Sequence, residues 1–98
     1  MAVKDIIVAK IGYGNLLAIG VVSSMISSFE KQPPDYLYPG ILFTAKNQEG
    51  KDVVVFVLME EENIFCVIWT LVFSGVYLRK EGLTSEDLGK AIRDIFGK

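Results

Sequence analysis

The sequence predicts a single α+β domain spanning residues 1–98, in which an antiparallel sheet of about four to five strands packs with two main helices in the order β-α-β-β-β-(β)-α. The chain has 98 residues, 51% hydrophobic and 22% charged, which suffices for one modest core. Residues 53–59 and 64–73 are apolar runs rich in β-branched and aromatic side chains, separated by a turn-forming stretch. Residues 84–96 instead show the apolar spacing of an amphipathic helix.

The N-terminal segment predicts a strand followed by a helix. Residues 5–11 (DIIVAKI) have the composition of a short strand, and a glycine-containing turn follows them. Asn15 is placed as an N-cap, and we expect the first helix to run from residue 16 to about residue 31, because its apolar residues recur at three-and-four spacing. Continuation of the strand to Val22 is the alternative.

A hairpin is predicted after the prolines that end this helix. Residues 41–46 and 52–59 flank the turn-forming stretch 47–50. The second arm (VVVFVLM) is apolar on both of its faces, which is typical of a central strand. Residues 61–63 form the next turn and return the chain into a meander.

The uncharged run of residues 64–78 allows three interpretations. The first is a transmembrane helix, but fifteen helical residues would span about 22 Å, which is too short for a bilayer core of about 30 Å. Its β-branched and aromatic content favours strands, with a turn or bulge at Ser74 and Gly75. The alternative is a third, buried helix over residues 64–81, capped by Asn63 and ending at Gly82.

The C-terminal helix has start and core signals that agree. Thr84 is predicted as its N-cap, with Asp87 at the third helical position and Leu83 facing Leu88 as a hydrophobic staple. One face of this helix is apolar, formed by Leu88, Ala91, Ile92, Ile95 and Phe96.

Composition excludes several function classes. The formal net charge is −2 and basic residues cluster no further than a pair, so nucleic acid is not expected as a partner. The chain contains no histidine, which excludes histidine-based triads and the common zinc sites. Cys66 and the acidic residues 60–62 are interpreted as a buried structural thiol and a solvated turn. No catalytic residue, metal site or cofactor is predicted, and the sequence favours a non-enzymatic role.

The cytoplasm is the expected compartment. A single cysteine cannot form a disulfide within the chain, and Asp5 precedes the first apolar stretch where a secretory signal would carry basic residues. The membrane is not expected as the main partner.

The residues Gly12, Tyr13, Gly14 and Asn15 form the candidate anion-binding site. A glycine-rich turn between a strand and a helix is the setting of phosphate-binding loops. The dinucleotide fingerprint is incomplete, because Leu17 occupies its third glycine position. A structural turn is the preferred interpretation, and binding of a small molecule or anion is the alternative function.

The proline-rich connection contains two short motifs. Residues 33–36 (PPDY) resemble the PPxY ligand motif of WW domains, and residues 37–42 (LYPGIL) resemble the LYP(x)nL motif bound by Bro1-type adaptors. We interpret the segment as an ordered loop that places Tyr36 and Tyr38 over the core.

The apolar faces exceed what two helices cover. Two helices about 10 Å apart cover roughly four strands at about 4.8 Å each, on one face of the sheet only. We therefore expect a scaffold or regulatory domain that forms a homodimer or binds a protein partner. A small membrane-associated protein is the second alternative. The predicted interface consists of Val53, Val55, Val57, Ile68, Trp69, Tyr36 and Tyr38.

Overall fold

The computed structural model describes residues 2–29 and 38–98 and has an antiparallel five-stranded sheet at its centre. The helices are α1 (Val3–Ile11), α2 (Tyr13–Ala18) and α3 (Ser85–Phe96), and a 3-10 turn lies at Ser23–Met25. The strands are β1 (Ser27–Phe29), β2 (Gly40–Lys46), β3 (Asp52–Glu61), β4 (Ile64–Leu71) and β5 (Leu78–Leu83), and they neighbour one another in chain order. The predicted α+β class is confirmed.

The predicted hairpin is formed by β2 and β3. Phe43 lies opposite Val55, and the register runs without interruption to the pair of Lys46 and Asp52. Asn47 shapes the turn, since its side-chain oxygen accepts hydrogen bonds from the backbone N–H groups of Glu49 (2.9 Å) and Lys51 (3.0 Å). An asparagine that bonds to its own turn in this way stabilises the reversal locally.

The uncharged run forms strands, as its residue types predict, with an interruption that includes Ser74 and Gly75. β4 pairs with β3 along its length, and β5 then pairs with β4. The alternative of a buried helix over residues 64–81 is wrong. Pairing with β3 satisfies the backbone of this run and places its alternate side chains on opposite faces, which a continuous helix would not do.

The N-terminal prediction is wrong in its element types. Residues 5–11 lie in helix α1, with Ile7, Val8 and Ile11 buried on one side. In a seven-residue segment these apolar positions fit a helix as well as a strand, and packing against α3 and β2 decides the outcome. Gly12 ends α1 with a φ of 93°, a conformation that strains residues with a Cβ.

The first predicted helix is shorter than residues 16–31. Helix α2 ends at Ala18, and residues 27–29 form β1, where Ser27 pairs with Leu42. Serines and a glycine at position 20 are weak helix formers, so pairing with the free edge of β2 replaces the helix. Residues 30–37, where the predicted helix would end, lie outside the described residues.

Helix α3 confirms the C-terminal prediction. Thr84 has the extended backbone of an N-cap, and its hydroxyl donates to a carboxylate oxygen of Asp87 at 3.1 Å. Gly97 ends the helix in the left-handed conformation. Four predicted apolar side chains are buried and Ile95 packs partly buried against them; the buried four are Leu88, Ala91, Ile92 and Phe96.

The hydrophobic core lies between the sheet and helices α1 and α3. The core-facing side chains of the three central strands are Ile41, Phe43, Ala45, Val53, Val55, Val57, Phe65 and Val67. Phe43 stacks on Phe96 of α3 with ring centroids 6.4 Å apart. We call this side of the sheet the inner face, and it is the side on which the described helices pack.

Candidate interaction surface

The opposite side of the sheet has an apolar centre. We call it the outer face and define it by six side chains: Phe29, Leu42, Val54, Phe56, Leu58 and Ile68. They are half-buried, whereas the inner-face residues of the same strands are almost all fully buried. Because side chains alternate along a strand, every second residue of β3 belongs to this face.

The strand register places the outer-face side chains in rows. Phe56 lies directly opposite Leu42 on one neighbouring strand and opposite Ile68 on the other. Side chains opposite one another in adjacent strands are close enough to contact. The row across β2, β3 and β4 is therefore one continuous apolar strip.

An aromatic pair extends this strip onto β1. The rings of Phe29 and Phe56 meet edge to face, with centroids 6.4 Å apart. Gly40 makes room for the ring of Phe29, since a Cβ at residue 40 would lie 2.9 Å from its Cζ atom. The register places Phe29 opposite Gly40, so the missing side chain allows the phenyl ring to cross β2.

Polar and charged groups border the apolar centre. Lys46 and Asp52 lie at one end of the outer face and are joined at 3.0 Å, while Glu60 lies at the other end. Arg79, opposite Ile68, lies at the β5 edge. An apolar centre with a polar rim is the usual anatomy of a protein interface.

Cys66 lies opposite Leu58, on the same side of the sheet, but it is fully buried. Burial raises the pKa of the Cys66 thiol, and the charge of nearby Arg79 opposes part of that rise. A neutral thiol behaves as a small hydrophobic side chain. Cys66 therefore contributes to the packing of the sheet and offers no reactive thiolate.

The predicted interface residues fall on both faces. Val53, Val55 and Val57 are on the inner face with at most 2% exposure, so they form core and present no surface to a partner. Trp69 lies opposite Val55 and is therefore on the inner face, where it packs partly buried against the core. Of the five predicted strand residues, only Ile68 is on the outer face.

Two predicted interface tyrosines lie before β2. Tyr38 is half-buried, whereas Tyr36 lies outside the described residues, as does the PPxY segment at 33–36. Sequence reasoning missed the alternate β3 residues Val54, Phe56 and Leu58. Their signal was present in the unbroken apolar run, but that run does not indicate which alternate set faces the helices.

The predicted anion site lies at the start of a helix of only six residues. The side-chain amide of Asn15 donates to the carbonyl oxygen of Ile11 at 2.8 Å and bridges α1 and α2. Gly12 provides the turn between these helices. The arrangement accounts for the glycine and the asparagine as structural elements of a helix-helix corner.

Asn15 also borders an open groove of about 490 Å³ between this corner and α3. The groove is lined by Lys10, Ile11, Asn15, Ser85, Glu86, Gly89, Lys90, Arg93, Asp94 and Lys98. Four of these side chains are basic and two are acidic. The Arg93 guanidinium is directed to the carbonyl oxygen of Lys98, at 2.6 Å.

Across residues 2–29 and 38–98, no group of three or more acidic or cysteine side chains is placed to hold a metal ion. None of the helices in these ranges has the length and apolar content needed to cross a bilayer. Comparison of the chain with protein-family models, curated proteins and solved structures gives no match.

Proposed function

We propose that this chain is a small non-catalytic scaffold or regulatory domain that acts by self-association through its outer face. The observation that carries the proposal is the strip of Leu42, Phe56 and Ile68, which lies in register across three strands on the side away from α1 and α3. Half-buried apolar side chains grouped in this way mark interaction sites, because burying them removes apolar surface from water.

A second copy of the chain is the partner that this face fits. The centre of the face carries no charge, so two copies related by a two-fold axis bring apolar side chains together without like-charge repulsion. Two sheets pack face to face about 10 Å apart, with side chains of both faces interdigitating. The cytoplasm is the compartment we propose, since Cys66 is a free thiol and the sequence contains no second cysteine with which it could form a disulfide.

The oligomeric state of the purified chain tests this proposal. Sedimentation velocity between about 1 and 100 µM should show a dimer that dissociates on dilution. Ile68→Thr and Phe56→Thr place hydroxyl groups on the outer face while keeping a residue that favours strands. Each should raise the dimer dissociation constant at least about tenfold, because both copies carry the change.

Val22→Thr is the matched control, since Val22 is 48% exposed and lies outside the sheet. It should leave the dissociation constant unchanged. Thermal unfolding followed by circular dichroism verifies that each variant is folded. A wild-type chain that remains monomeric at the highest concentration would refute the proposal, and so would a dimer unaffected by both outer-face variants.

The groove beside Asn15 favours binding of a small anion as a second candidate function. Its lining combines four basic with two acidic side chains, so the local charge favours an anion although the whole chain is negative. Pyrophosphate should raise the melting temperature of the wild-type chain, and Lys90→Gln should reduce that shift. Lys46→Gln is the control, because Lys46 lies on β2. Equal pyrophosphate-induced shifts in melting temperature in both variants would exclude this groove as the anion-binding site.

A further inference from the structure

The connection between β4 and β5 exposes an unusual concentration of apolar side chains. We call residues 71–78 the apolar loop. Six of the eleven exposed large hydrophobic residues of the described chain fall within these eight positions: Leu71, Val72, Phe73, Val76, Tyr77 and Leu78. The Phe73 side chain is fully exposed, and Tyr77 is 65% exposed. Exposed apolar groups this dense mark a contact surface rather than ordinary surface composition.

The apolar loop is held in a defined shape. The Thr70 hydroxyl donates to the carbonyl oxygen of Val76 at 2.5 Å. The backbone N–H of Ser74 donates to the carbonyl oxygen of Leu71 at 3.1 Å. Phe73 has a φ of 70°, and it is the one residue other than glycine with positive φ in the described ranges. A bulky side chain rarely adopts this conformation. Here the turn holds the phenyl ring outward, away from the core.

Charge is distributed unevenly along the sheet. Beside the apolar loop, Lys46 pairs with Asp52 and Lys51 with Glu49, so these charges balance. Arg79 directly follows the loop, and its partner Glu81 lies further along β5. Lys80 lies two residues beyond the loop, opposite Val67 of β4. The other end of the sheet carries three consecutive acids, residues 60–62, at the end of β3 and the start of the turn that follows it. β3 joins these ends and spans about 30 Å, so the charge asymmetry follows the sheet.

We propose that the apolar loop inserts into the interfacial region of an anionic lipid bilayer. A projecting phenyl ring needs a preformed pocket in a protein partner, whereas acyl chains adapt to it. Tyr77 suits the headgroup level because its ring is apolar and its hydroxyl polar. Lys80 lies about 7 Å along β5 from the end of the loop, which is close enough for anionic headgroups to attract it, while residues 60–62 lie at the far end of the sheet. The contact is peripheral and goes beyond self-association through the outer face.

Vesicle co-sedimentation of the full chain tests the insertion. Vesicles of phosphatidylcholine with about 30% phosphatidylserine should bind the protein, and pure phosphatidylcholine should bind it several-fold more weakly. Phe73→Asn should reduce binding at least about fivefold, because it removes the projecting ring and asparagine tolerates a positive φ. Lys80→Gln should reduce binding to the anionic vesicles about fivefold, and about 0.5 M salt should have a similar effect.

Tyr13→Asn is the matched control, because Tyr13 is also 65% exposed but lies on α2. It should bind vesicles like the wild type. Val76→Ser is a second loop variant that leaves residue 73 unchanged, and it should also weaken binding. No vesicle binding by the wild type would overturn the proposal, and so would loop variants that both bind as strongly as the wild type. Loss of the dimer in Phe73→Asn would overturn it too, since the apolar loop would then be a protein interface.

Discussion

Replacing Gly89 by alanine should destabilise the domain, although alanine is the better helix former. Gly89 is buried in the middle of α3, where it faces the corner between α1 and α2. A Cβ at this position would overlap the side-chain amide of Asn15 and lie 2.7 Å from the carbonyl oxygen of Ile11. The amide can rotate away, but the carbonyl belongs to the backbone of α1. Helix α3 must therefore move away from α1, which disturbs the close packing of the core between them.

The magnitude follows from three opposing contributions. Alanine in a helix interior gains about 1 kcal/mol over glycine. Overpacking of a close contact costs about 1–3 kcal/mol. Rotation of Asn15 also breaks its 2.8 Å bond to the Ile11 carbonyl, which contributes about 1 kcal/mol. The net expectation is a loss of about 1–3 kcal/mol in the free energy of unfolding, or at least about 4 °C in melting temperature for a domain of this size.

Urea unfolding of matched glycine variants measures this loss. Gly14→Ala is the control, because Gly14 lies in α2 and no atom lies within 4 Å of a Cβ placed there. It should leave stability unchanged or raise it by up to about 1 kcal/mol. Adding Asn15→Ala to Gly89→Ala should recover only part of the loss, because the Ile11 carbonyl remains. A Gly89→Ala chain as stable as the wild type would refute the inferred contact between α3 and the corner.

Three further predictions concern the core, the apolar loop and the thiol. Phe43→Ala should cost about 3–5 kcal/mol in urea unfolding, because Phe43 is 1% exposed, whereas Phe73→Ala should change stability by less than about 0.5 kcal/mol; similar losses would contradict the assigned core. Thr70→Val should cost about 1 kcal/mol and speed amide hydrogen exchange at Val76, and unchanged exchange would show that the hydroxyl does not hold the loop. Burial raises the pKa of Cys66, so the native state keeps a proton that the unfolded chain releases. Stability should therefore fall as the pH rises above about 8.5, and less so in Cys66→Ala; equal pH dependence in both chains would contradict this.

The central strands and the last helix were predictable because local and tertiary preferences agree there. The turn at Asn47 separates two apolar segments, and Thr84 begins a segment with helical spacing. The break near Gly75 was also evident, since a continuous strand of fifteen residues would be longer than strands usually are. These elements carry their own start, stop and periodicity signals, and packing reinforces them.

The N-terminal third was not predictable in the same way. Helix α1 contains β-branched residues that favour a strand, and its burial against α3 overrides that preference. The segment that includes β1 has helical spacing, but its serines are weak helix formers and residues 27–29 pair with the free edge of β2. Short segments with weak propensity take the conformation that the rest of the fold stabilises.

The candidate surface shows the same division. The residue pattern alone is enough to predict the fold class, the hairpin, the C-terminal helix and the presence of more apolar sheet surface than two helices cover. The packed fold was needed to show that Val55 faces the helices and Phe56 faces outward, and that Phe73 projects from a turn instead of lying in the core. An unbroken apolar run lacks the alternation of apolar and polar residues that would show which side of the strand faces the core. The side on which α1 and α3 pack then assigns each residue to core or surface.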